Sequence, residues 1–113
     1  MLEEWPGELV VSAFTAAEAD HLVLTRLGID AQLALLDDLA VTYDVRSLDA
    51  GGLKRARDVC AQYRDLQLGL ADASVVVLAE QWRTNAIATF DQRHFRAIVP
   101  LQGGAFELLP ADR

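Results

Sequence analysis

The chain has 113 residues, of which 52% are hydrophobic, and a formal net charge of -7. This suits one compact domain with its own core; the acidic balance excludes holding nucleic acid through an overall positive field, but not a site whose own carboxylates bind divalent cations. The apolar runs are far short of the ~20 residues a membrane span takes, Met1 is followed by two glutamates rather than a basic leader, and a single cysteine, Cys60, excludes an intrachain disulfide, so a soluble cytoplasmic protein is expected.

In chain order, Pro6-Gly7 breaks the approach to a short strand over 9–13, L-V-V-S-A. The spacing of Ala16, Ala19, Leu22, Val23 and Leu27 predicts a helix over 14–27, stopped by Gly28. Asp30 is a candidate cap for a second helix, with Leu33, Leu35, Leu36 and Leu39 on its apolar face. The alternation over 41–48, V-T-Y-D-V-R-S-L, predicts a strand. Asp49 then caps a third helix running to about Arg64, with Leu53, Ala56, Val59, Cys60 and Tyr63 inward, although Gly51-Gly52 weakens its first turn.

From Leu70 the chain reads L-A-D-A-S-V-V-V-L-A-E, apolar around most of a helix and therefore buried, with Asp72 at its start. A short strand over 86–90, A-I-A-T-F, follows and Asp91 closes it. Residues 98–100 and 106–109 are further strand material around a Gly103-Gly104 turn. Helices alternating with short strands predict an α/β fold, a three-layer α/β/α sandwich with a mainly parallel central sheet.

Three acids stand out. Each has a structural explanation: Glu18 completes a capping box with Thr15, Asp72 caps its helix, and Asp91 turns the chain after its strand. Jointly, they sit at helix starts and a strand end, which a parallel sheet with right-handed crossovers brings to one edge. Carboxylates gathered there repel one another unless a cation lies between them, and hard ions such as Mg²⁺ favour oxygen ligands. The arrangement points to metal-assisted hydrolysis of a phosphodiester.

The blocks V-V-S-A-F-T-A-A-E-A-D, L-G-L-A-D-A-S-V-V-V-L-A-E and A-T-F-D-Q-R-H-F, in this order, resemble the successive signatures of the PIN-domain family, in particular VapC-type toxins. The resemblance implies an endoribonuclease using Mg²⁺ or Mn²⁺, an RNA substrate, a cognate antitoxin protein and a homodimer. It makes Glu18, Asp72 and Asp91 the catalytic, metal-binding acids, with Ser74 and Thr89 as polar support. Family members open with a mid-sheet strand ending in aspartate, and no segment here matches it. The expectation is one PIN-like domain over 1–113, truncated at its N-terminus and lacking that strand and its metal ligand. The alternative is a catalytically incomplete module that engages an antitoxin or another protein chain. A phosphoacceptor receiver domain also uses carboxylates at a sheet edge, but its strand-end acid pair and downstream lysine have no match.

Arg93 is a candidate for steadying an RNA phosphate, against a solvated arginine, and His94 for shuttling a proton, against a hydrogen-bonded structural histidine. Lys54, Arg55, Arg57 and Arg64 form a basic helix face, a candidate RNA-facing surface whose default is solvent with acidic neighbours. Cys60 and Trp82 are expected in the core.

Overall fold

The computed structural model describes residues 9–88 and 92–109. The chain divides into two compact units, Met1–Ser47 and Leu48–Arg113.

In the first unit, strand β1 (Leu9–Ser12) leads into helix α1 (Ala13–Leu27), then α2 (Ile29–Val41) and strand β2 (Tyr43–Arg46). The two strands are parallel, with Leu9 opposite Tyr43 and Ser12 opposite Arg46. Ser12 ends the strand and starts the helix, its Oγ accepting from the backbone N–H groups of Phe14 (3.1 Å) and Thr15 (3.4 Å). Gly28 alone joins the helices, at φ 91° and ψ -179°. Only glycine adopts that backbone without strain, and the hairpin turns there. Gly28 N–H closes α1 on the Leu24 carbonyl (3.1 Å), and its own carbonyl accepts from Gln32 (3.2 Å).

The second unit runs α3 (Ala50–Gln62), a 3-10 turn (Arg64–Leu66), α4 (Leu70–Gln81), β3 (Ala86–Ala88), α5 (Gln92–Ala97) and β4 (Glu107–Leu109). Strands β3 and β4 are parallel, Ala86 opposite Glu107 and Ala88 opposite Leu109. Asp49 caps α3 by accepting from Gly52 N–H at 2.7 Å. The glycine pair that weakens this start has a packing reason, because a Cβ on Gly52 would come within 3.0 Å of the Leu48 side chain. The core joins Ala56 and Val59 of α3, Ala73, Val76, Val77 and Ala79 of α4, and Ile87 and Leu108 of the strands. Phe95 meets Phe106 edge to face, ring centres 5.9 Å apart.

The α/β class and the parallel pairing are as expected, and α4 is the buried helix that its composition predicts. Among the described residues, however, the strands form two separate pairs rather than one sheet. Several local readings change. Val41 belongs to α2, so the strand expected from 41 starts at Tyr43. Asp30 lies in the first turn of α2, whose N-cap is Gly28. Residues 98–100 form no strand: Val99 N–H donates to the Tyr63 hydroxyl (2.9 Å) instead of a sheet neighbour, while Ile98 is buried. Leu53, expected inward, is exposed, and so is Trp82, which lies at the C-cap of α4, past the buried run. Cys60 is half-buried, packs against the core and donates weakly from Sγ to the Leu68 carbonyl at 3.7 Å.

Candidate active site

Asp72 is the third residue of α4 and does not cap it. The cap is Gly69, which provides no side chain, and Gly69 carbonyl accepts from Ala73 N–H at 3.1 Å. Asp72 is therefore not the N-cap residue that the sequence suggests. Its neighbours Ala71, Ala73 and Ser74 are buried while Asp72 is half-buried, so α4 brings a carboxylate to the lip of a packed core. The first turn of a helix exposes N–H groups and the positive end of the macrodipole, an environment that favours negative charge. Ser74, fully buried, donates from Oγ to the Ala71 carbonyl at 2.6 Å, one turn back along the helix. That bond lies beside Asp72 in the same turn and ties down the backbone that carries it.

Glu18 sits on the exposed side of α1. Because Ser12 rather than Thr15 caps α1, Glu18 is the sixth helical residue, one turn further in than the capping-box reading places it. It lines a shallow, open, largely apolar depression together with Ala17, His21 and Leu22. Its i, i+3 neighbour on that face is His21.

Thr89 and Asp91 lie outside the described residues, as does the side chain of Arg93, whose backbone belongs to α5. The described elements on either side of residues 89–91 are β3 and α5. Glu18 belongs to the first unit and Asp72 to the second. Among the described residues, no group of three or more His, Cys, Asp or Glu is placed to hold a metal ion. What the donor set offers is chemical: carboxylate oxygens, the hard ligands that Mg²⁺ and Mn²⁺ take.

Two of the basic residues of α3, Arg55 and Arg57, form ion pairs. Arg55 Nη2 donates to both carboxylate oxygens of Glu80 at 2.6 Å, tying α3 to α4, and Arg57 pairs with Asp58 at 3.2 Å. The hydrogen bond that Arg55 donates to Glu80, reinforced by the charge of that carboxylate, pushes the guanidinium further above its already high range. This is the solvated face with acidic neighbours that its charge pattern predicts.

Residues 1–99 match the family model described as PIN domain, so the chain belongs to the PIN-domain family. Within it the chain is of the VapC type: it is 44% identical over 103 residues to ribonuclease VapC26 of Mycobacterium tuberculosis, covering 90% of this chain and 76% of that one. The fold is similar to the crystal structure of Mycobacterium tuberculosis VapC20, a sarcin-ricin loop cleaving toxin. That match has a TM-score of 0.69 and 17% identity, over 80% of this chain and 71% of the other, and at that identity it speaks for the fold alone.

Proposed function

We propose that this chain is the toxin of a toxin–antitoxin pair, an endoribonuclease that hydrolyses RNA phosphodiester bonds with Mg²⁺ or Mn²⁺ held by Glu18, Asp72 and Asp91. The observation that carries the reading is the 44% identity to a ribonuclease across nine-tenths of the chain. The position of Asp72 supports it: a half-buried carboxylate in the first turn of a buried helix whose N-cap is Gly69. An antitoxin partner and a homodimer belong to the same proposal, as does a cytoplasmic location. No described helix is long and apolar enough to cross a membrane.

The division of labour follows from the chemistry of the residues. Carboxylates at these positions confer negative charge that RNA avoids, so the acids work only when a cation offsets them. A bound Mg²⁺ or Mn²⁺ supplies Lewis acidity to the phosphate and acidity to the attacking water. Asp72, anchored by the most buried helix, is the fixed member of the set. The hydrogen bond from Ser74 to Ala71 keeps that helical turn in place. Thr89 is assigned to polar support of Asp91, and Arg93 to a phosphate oxygen of the RNA.

The test is cleavage of a fluorogenic RNA with Mg²⁺, with Mn²⁺ and with EDTA. Chelation is expected to abolish cleavage, and Asp72→Asn or Asp91→Asn to slow it by about 100-fold or more. Cleavage that survives EDTA and both substitutions overturns the reading. A chain that cleaves under neither metal yet still captures its antitoxin after both substitutions is the binding module instead.

A further inference from the structure

At the C-terminal end of α4 the backbone adopts a costly conformation beside an exposed aromatic side chain. Trp82, at the C-cap, is 48% exposed, although α4 is otherwise the buried helix. Arg83 follows at φ 52°, in the left-handed region. Its N–H donates to the Glu80 carbonyl (3.1 Å) and that of Thr84 to the Ala79 carbonyl (3.0 Å), the paired bonds of a Schellman turn whose left-handed place ordinarily falls to glycine. An arginine there carries a backbone cost that glycine escapes, and a cost of this kind marks a side chain kept for what it does. The connection beyond it is braced. Thr84 Oγ1 accepts from Ala86 N–H (3.1 Å), Gln102 Nε2 donates to the Thr84 carbonyl (2.8 Å), and Asn85 Nδ2 donates to the Gly103 carbonyl (3.2 Å). Gly104 comes so close that a Cβ on it would lie 2.9 Å from Asn85 Nδ2. Residues 82–85 therefore form a fixed platform for the indole and the guanidinium.

We infer that the α4–β3 connection is a stacking site for one base of a single-stranded RNA, with the Trp82 indole against the base and the Arg83 guanidinium on its phosphate. Every base has a π-face, so an aromatic ring beside a cation is the element by which proteins hold single strands. The sequence around the indole, E-Q-W-R-T-N, supplies no apolar neighbour, so the patch lacks the dry apolar centre of a protein interface. Charge admits an anion here. The whole net charge of -7 falls in 1–47, which hold nine acids against two arginines, whereas 48–113 carry eight charges of each sign. Glu80, the nearest acid in the chain, is already paired with Arg55. Arg83 also offsets the negative end of the α4 dipole, where an unaided phosphate would be repelled. Asp72 and Trp82 stand at opposite ends of α4, about 15 Å apart along its axis, so the stacked base lies outside the cleavage centre. The choice of RNA as occupant rests on the ribonuclease reading, but the site uses none of Glu18, Asp72 and Asp91.

The experiment uses the whole chain in EDTA, so that binding is read without metal-dependent cleavage. Trp5→Phe leaves Trp82 as the sole tryptophan. A single-stranded RNA of about twelve nucleotides, matching the upper end of common single-strand site sizes, is expected to quench its fluorescence. An abasic strand of the same length and charge is expected to leave the fluorescence unchanged and to bind about tenfold more weakly. By anisotropy, Trp82→Ala is expected to weaken RNA binding by about tenfold. Arg83→Gly is expected to weaken it by about threefold and to lower the slope of log affinity on log salt by about 0.7, the share of one phosphate contact. The same Arg83→Gly is expected to raise the thermal midpoint by about 2–4 °C, because glycine relieves the left-handed backbone, whereas a merely structural arginine would lower it. This variant remains informative if Trp82→Ala fails to fold. Unchanged Trp82 fluorescence, equal binding of the abasic strand, or an RNA affinity untouched by Arg83→Gly overturns the inference. So does a dimer in sedimentation that Trp82→Ala dissociates without changing RNA affinity, which would assign the patch to a second copy. A chain that binds RNA through Trp82 yet cleaves under neither metal upholds this site and overturns only the nuclease reading.

Discussion

Helices α2 and α4 are made of nearly the same stock: nine of thirteen residues are apolar in one and eight of twelve in the other. Yet α4 buries seven residues, from Ala71 to Ala79, and α2 buries none. The difference teaches that apolar content sets how much surface a helix can bury, while neighbours set whether it does. Helix α4 is contacted by α3 and β3 and has no open apolar side except its ends, where Leu70 and Trp82 emerge. Helix α2 packs on α1 through one narrow stripe and leaves a second stripe bare.

The largest expected effect breaks this contrast at its most buried point. Leu108→Ala removes a fully buried side chain from the core of the second unit and is expected to cost about 2–5 kcal/mol in urea unfolding. The same leucine-to-alanine change at Leu33, half exposed on α2, is expected to stay within about 0.5 kcal/mol. Equal costs at the two positions would mean that the α2 stripe is covered after all. Next in size, Gly28→Ala forces a Cβ onto a backbone at φ 91° and is expected to destabilise the hairpin by about 1–3 kcal/mol. Thermal unfolding followed by circular dichroism reads that loss, which should appear although nothing lies within 4 Å of the added methyl.

The smallest effect concerns the exposed pair of Arg55 and Glu80. Glu80→Gln is expected to shift the unfolding midpoint little, and less still in high salt, because exposed ion pairs are screened. The sign of its pH dependence is fixed by the raised Arg55 value. A cation whose folded pKa lies above its unfolded one contributes stability that is complete below the unfolded value and fades only as pH rises through the folded one. For arginine that window is strongly alkaline, so titration across neutral pH should reveal no contribution from Arg55 to the pH dependence of stability.

Most elements were legible from pattern alone. The valine run of α4, the Asp49 cap of α3 and the glycine break between α1 and α2 are local signals, each needing only a few neighbouring residues. Boundaries that depend on competition between neighbours were not legible. Ser12 and Thr15 are both good caps, and the strand leading into Ser12 decides between them, which moves Glu18 a full turn along its helix. Asp72 reads as a cap in sequence because acids favour helix starts, and only the backbone shows that Gly69 holds that place. Likewise, Ile98-Val99-Pro100 carries strand-like residues, but its backbone donor is taken by Tyr63.

The sequence by itself determined the α/β class, the order of helices and strands, and the family, because periodicity and short motifs are written in residues close together along the chain. It also singled out Asp72 and Glu18, whose chemistry needs no coordinates to be noticed. Only the tertiary structure decided which apolar faces are covered. It alone separated the buried α4 from the bare stripe of α2, and paired Arg55 and Arg57 of α3 with acids. Those outcomes depend on residues distant in the chain, such as Glu80 reaching Arg55 and Leu108 packing with α4, and burial is a property of such neighbours rather than of the residue itself.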